Sequence, residues 1–172
     1  MTSPKVQLCL MAEPLRFSRS FENRGFTAIE LLVVVSILAI FAAIAAPGMQ
    51  SLVAGQRIKA LTYDLTADLL LARSEALKRN NTVGIARSGS TWNAGWVTST
   101  GGVNLSTRNA ASGSITFTGA PQTITFGANG RVTSPTDPVR ISITSTSASA
   151  NAQRCVELDL SGRARSNVGA CT

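Results

Sequence analysis

"FTAIELLVVVSILAIFAAIAA" runs from Phe26 to Ala46 and carries a single charge, Glu30, in twenty-one residues. About 20 apolar residues make a helix long enough to cross the hydrocarbon of a bilayer. Such a helix is apolar on every face, whereas a helix lying on a soluble core keeps a polar stripe. Lys5, Arg16, Arg19 and Arg24 precede the run. Cationic flanks stay on the cytoplasmic side, so the rest of the chain is expected beyond the membrane. A buried core helix and a secretory signal peptide are the competing readings. Small residues at "AIAAPG", 43–48, would suit cleavage after Ala46, although the run exceeds the 7–15 residues of a usual signal-peptide core.

Glu30 separates these readings. A carboxylate inside an apolar span costs about 2.5–3.5 kcal/mol on insertion scales and is functional by default; a signal peptide gains nothing from it. "RGFTAIELL", Arg24 to Leu32, resembles the processing site of type IV prepilins and of type II secretion pseudopilins. The resemblance implies that a prepilin peptidase cuts after Gly25 and methylates Phe26. It also implies that Glu30 pairs with the N-terminal amine of a neighbouring subunit, a partner that would relieve a buried carboxylate. Pro47 matches the family's helix-kinking proline. Two features depart from the pattern: Ala28 stands where Leu is usual, and the leader, 1–25, is long, with Met11 as a second possible start.

Downstream, Ile58, Leu61, Leu65, Leu69, Ala72 and Ala76 recur at three- and four-residue steps. That spacing predicts one apolar stripe on a second helical stretch. Arg57, Lys59, Asp64, Arg73, Glu75 and Lys78 fall mostly off it. "KRNN", 78–81, should end the helix, with cations in the last turn and Asn as a stop. Pro47 and Gly55 predict a kink or local melt. The expected segments are a leader at 1–25, a transmembrane or filament-core helix at 26–47, an amphipathic helix at 48–80 and a β-rich head at 81–172.

In that head, 82–87, 95–100, 114–118, 122–127, 139–145 and 154–160 read as strands. "ANGR", 128–131, reads as a tight turn, 134–138 as a loop and 145–153 as a polar connection. Trp92, Trp96, Phe117 and Phe126 are expected in the core. A long helix followed by antiparallel strands is an α+β architecture, here of type IV pilin-like form. "GW" at 95–96 and the closing "CVELDLSGRAR" resemble the FimT/GspH branch of minor pilins and pseudopilins.

Chemistry is sparse. The chain has 172 residues, no His, 16 Lys+Arg against 9 Asp+Glu and a net charge of +7. Without His, and with scattered acids, no nucleophile–base pair, phosphate loop or metal spacing is present. No enzymatic activity and no cofactor are expected. Beyond the membrane, Cys155 and Cys171 read as a disulfide, which would contribute about 3 kcal/mol; two free thiols are the alternative. After Asn80 come seven Arg and no Lys against Asp137, Glu157 and Asp159. On an extended strand Arg163 and Arg165 would share a face, Gly162 would permit the turn before them, and Arg154 would add to the patch. Guanidinium groups suit phosphate oxygens; a solvated basic rim is the plain alternative.

"GRAR", 162–165, is similar to the Gly-Arg-x-Arg motif of DNA-binding FimT-type minor pilins, which take up DNA in natural transformation. By that resemblance the partners are double-stranded DNA, other pilins, the prepilin peptidase and the bacterial inner membrane, with the head periplasmic and then extracellular in a pilus. Scarce aromatics near the tail favour duplex over stacked single strands. A GspH-like pseudopilin of type II secretion, a priming pilin without DNA binding and an adhesin for anionic glycans compete with this reading.

Overall fold

The structure is a computed structural model and describes residues 26–171, apart from the side chains of Ala46 and Pro47. The expected leader, with Gly25, lies outside the described residues. One helix, α1, spans Ala28–Arg79. Thr27 starts it: its Oγ1 accepts the Glu30 N–H at 3.2 Å, and Thr with Glu three residues on is the sequence pattern of a capping box. Asn80 stops it in a left-handed conformation, φ 49°. The Asn81 N–H reaches the Ala76 carbonyl and the Asn80 N–H the Leu77 carbonyl, the paired closure of a Schellman end. The helix is unbroken through Pro47 and Gly55, so the expected local melt does not occur. A proline inside a helix removes one backbone bond and crowds the carbonyl four residues back, which can bend a helix without ending it. Gly55 is buried, and a methyl there would make an ordinary contact with the Ala152 β-carbon at 3.4 Å, so the helix passes it as it would an alanine.

Two compact units divide the chain at Ile40/Phe41. In the first, the described residues are exposed throughout. The stretch Ala28–Ala45 has a mean hydropathy of 2.8 with none of it buried, long and apolar enough to cross a membrane.

The second unit holds every strand. A five-stranded antiparallel sheet has the order β3-β2-β1-β5-β6 and a four-stranded one the order β4-β7-β8-β9. The first comprises β1 (Val83–Arg87), β2 (Trp96–Thr100), β3 (Val103–Arg108), β5 (Thr123–Phe126) and β6 (Val132–Ser134); the second β4 (Ile115–Thr118), β7 (Val139–Ser145), β8 (Arg154–Leu158) and β9 (Ala164–Val168). The predicted helix stripe is the helix's contribution to the core: Ile58, Leu65, Leu69, Ala72 and Ala76 are buried, with Leu61 partly so. Against it lie Ile85, Trp96 and Phe126 from one sheet and Ile141, Ile143 and Leu158 from the other. Trp92 is buried and Phe117 packs at the margin; the Trp96 and Phe117 rings meet edge-on, centroids 6.1 Å apart. The turn at 128–131 forms, closed by the Gly127 N–H on the Arg131 carbonyl at 2.9 Å.

Candidate functional site

β8 and β9 form a hairpin around Asp159–Arg163, in register from Arg154↔Val168 to Leu158↔Ala164. The Asp159 N–H donates to the Arg163 carbonyl at 3.1 Å, and the Gly162 N–H to the Asp159 carbonyl at 2.8 Å. Gly162 has φ 79°, a conformation glycine adopts without a steric penalty. It is also buried: a β-carbon there would fall 2.1 Å from the Gly130 carbonyl oxygen. Arg73 of α1 donates from Nη1 to the Gly162 carbonyl at 3.1 Å, and the Val132 N–H donates to Leu160 at 3.1 Å. Helix, turn and hairpin therefore meet at Gly162. At the open end Cys155 and Cys171 are bonded, Cα to Cα 5.1 Å, and the Gly169 N–H reaches the Gln153 carbonyl. The tail is a closed loop tied down at both ends.

Arg163 and Arg165 are both exposed, but strand alternation orients only one of them, because β9 begins at Ala164. Arg165 lies opposite Glu157, which lies opposite Arg140 on β7, giving an Arg–Glu–Arg row across the outer face of the sheet. Arg165 also pairs with Asp159, Nη2 to Oδ2 3.1 Å, both about half exposed. Its charge is therefore partly satisfied inside the protein, whereas Arg163 has no carboxylate partner among the described residues. Arg154 is not part of this patch. Its register partner is Val168, three residues from Glu157 along β8, so alternation puts it on the opposite face from Arg165. Its Nη1 donates to the carbonyls of Asn151, Ala152 and Gln153. The pairing of Asp159 with Arg165 was missed in the sequence, although "DLSGRAR" carries its signal: an acid six positions before an arginine across a glycine turn.

A second polar cluster is structural. Asp68, 2% exposed, accepts from Trp96 Nε1 at 2.9 Å, Ser106 Oγ at 3.0 Å and Arg108 Nε at 2.8 Å. It ties α1 to β2 and β3, and the Asp68 carboxylate raises the pKa of Arg108. Glu75, hydrogen-bonded by Arg79, is held below the usual carboxylate range. Among the described residues no cluster of three or more His, Cys, Asp or Glu is placed to hold a metal. At the other end of α1, Phe26 and Glu30 are exposed, Glu30 in the first helical turn.

A family profile described as "Type II transport protein GspH" matches residues 62–162, more than half the chain. A second, "Prokaryotic N-terminal methylation motif", matches 21–46. No curated protein matches the chain. Among solved structures it is similar to the type IV minor pilin FimU of Pseudomonas aeruginosa strain PAO1. In one crystal form (P21) the TM-score is 0.58 at 21% identity, over 65% of this chain and 89% of FimU. In the other (P65) it is 0.55 at 21% identity, over 63% and 91%. At that identity the likeness is one of fold alone.

Proposed function

The chain belongs to the GspH family and is a minor type IV pilin or pseudopilin, and from that premise we propose that it binds extracellular DNA through the Arg163–Arg165 hairpin for uptake in natural transformation. The prepilin motif and the exposed apolar helix fit anchoring in the inner membrane, and pilin-like families are structural rather than catalytic. Cleavage after Gly25, methylation of Phe26 and pairing of Glu30 with a neighbour's amine belong to the same reading.

The observation that supports DNA as ligand is Arg163: exposed, without a carboxylate partner among the described residues, and next to a glycine buried on three elements. The buried glycine fixes the backbone beside it, so a phosphate contact orders only the side chain, at about 0.5–1.5 kcal/mol. The contact would be to backbone oxygens and indifferent to sequence. The test is fluorescence anisotropy of a labelled duplex with the full chain in detergent micelles. Binding at low salt, lost in Arg163→Ala/Arg165→Ala, is the expected result; a double variant that binds as the parent does removes the hairpin from the site.

The description of the matched family favours a second reading, a pseudopilin of type II secretion. Under it the parent chain binds no duplex, and deletion abolishes secretion rather than transformation.

A further inference from the structure

On the face of the four-stranded sheet opposite Arg165, two adjoining clefts of about 290 Å³ and 210 Å³ share two cations, Lys59 of α1 and Arg154 of β8. Thr62, Tyr63, Ser166 and Asn167 wall the larger one, and neither lining contains an Asp or Glu. The two cations approach from different elements and neither has a carboxylate partner among the described residues. Both are half-buried. Arg154 is oriented by three carbonyls that occupy a single nitrogen, Nη1, which leaves its other N–H groups for a ligand. An ammonium, a guanidinium, hydroxyls and an amide around a cleft free of acids suit a phosphate group.

The cleft and the arginine hairpin are joined by one strand. β9 is a free edge of its sheet. Arg165 stands near its start, and Ser166 to Val168 line the cleft. From Arg165 to Val168 is roughly 10 Å of strand. Each strand of B-DNA carries a phosphate about every 3.4 Å along the axis, so a duplex lying beside the β9 edge presents phosphates both to Arg165 on one face and to the cleft on the other.

We propose that the Lys59–Arg154 cleft is a second seat for the DNA backbone, and that the interface runs along the free edge of β9 from hairpin to cleft. This rests on the DNA reading of the hairpin. Lys59 is the residue to change, because Arg154 also holds the carbonyls of Asn151, Ala152 and Gln153. Full chain in micelles is titrated with two duplexes of unrelated sequence over a salt series, and thermal melts establish that each variant is folded. Lys59→Ala is expected to weaken both duplexes equally and to reduce the slope of log affinity on log salt by about 1. Lys59→Glu should weaken them further, and Lys59→Arg should restore the slope, which a purely structural lysine would not do. Parent-like affinity and slope in Lys59→Glu, with binding still lost in Arg163→Ala/Arg165→Ala, would overturn the second seat and leave the hairpin reading intact. Weakened binding in Lys59→Glu with none lost in the arginine pair would discard the hairpin and overturn the continuous interface, leaving the cleft as a separate site. No binding by the parent would discard both.

Discussion

Asp159 is where the hairpin limits its own attraction for anions. Its carboxylate sits 3.1 Å from Arg165 and would repel an approaching phosphate while competing for the same guanidinium. Asp159→Asn keeps the side-chain shape and the backbone bonds of the turn but removes the charge. Under the DNA reading it should tighten duplex binding several-fold at low salt, by anisotropy, and the gain should vanish in Arg165→Ala. Equal gain in both backgrounds would mean that Asp159 acts on the general field rather than on Arg165. Gly162 is sensitive for a different reason. A left-handed conformation costs a non-glycine residue about 1–2 kcal/mol, and here a β-carbon would also strike the Gly130 carbonyl at 2.1 Å. Gly162→Ala should therefore lose more than about 2 kcal/mol in denaturant unfolding, whatever it does to DNA. The glycine of "GRAR" is required by packing, so its presence alone says little about ligand; the arginines carry that question.

At the scale of elements, the Asp68 cluster should show an asymmetry. Asp68 is almost fully buried whereas the Arg108 side chain is 38% exposed. Asp68→Ala leaves an arginine that can turn to water and one buried donor, Trp96 Nε1, without a partner, costing about 2–3 kcal/mol. Arg108→Ala leaves a buried carboxylate without its cation, for which about 3–5 kcal/mol is the usual loss. Unfolding free energies in the reverse order would show that the cluster is not organised around the buried acid. Glu75 supplies a pH test at the helix end. Its pKa is lowered mainly by the hydrogen bond from Arg79, so its stabilisation is present above the unfolded carboxylate pKa of about 4.3 and is lost as pH falls through the folded value. The difference in melting temperature between parent and Glu75→Gln should shrink as pH drops below about 4; a constant difference would dissociate Glu75 from that linkage. These clusters also mark what the sequence hides. The helix stripe and the inner strands were legible because burial writes a periodic apolar pattern. β3 and β6 were not read, and both are edges of their sheet: β3 carries polar and exposed residues and β6 is three residues long. Strand geometry around Arg163 and Arg165 was legible as far as Arg165. The opposite facing of Arg154 was not, because it depends on the cross-strand register. Asp68 sat beside the apolar stripe as an ordinary acid, and only the tertiary fold supplies its three donors.

For the molecule as a whole, charge sets how strongly one chain would hold a duplex under the DNA reading. From residue 81 onward there are seven arginines, no lysine and three acids, and Arg165 shares its charge with one of those acids. Only a few phosphates can be neutralised at once, each contributing about 0.9 to the salt slope on duplex DNA. A single chain in a micelle should therefore show a slope of roughly −2 to −4 and weak affinity near physiological salt. A slope near −10 would mean that binding is spread over many more cations than the hairpin and cleft supply. The same chain held at a membrane by its apolar helix is under different constraints. Under the DNA reading, several copies on one surface would share a long duplex, and each further contact would become intramolecular, raising avidity by about 10²–10⁴-fold if the copies can engage together. Full chain reconstituted at rising density in vesicles should then retain a long duplex at salt concentrations that release it from micelles. A duplex too short to bridge two copies should show no such gain. Equal gain for short and long duplexes would assign the effect to the vesicle surface and not to the arrayed arginines.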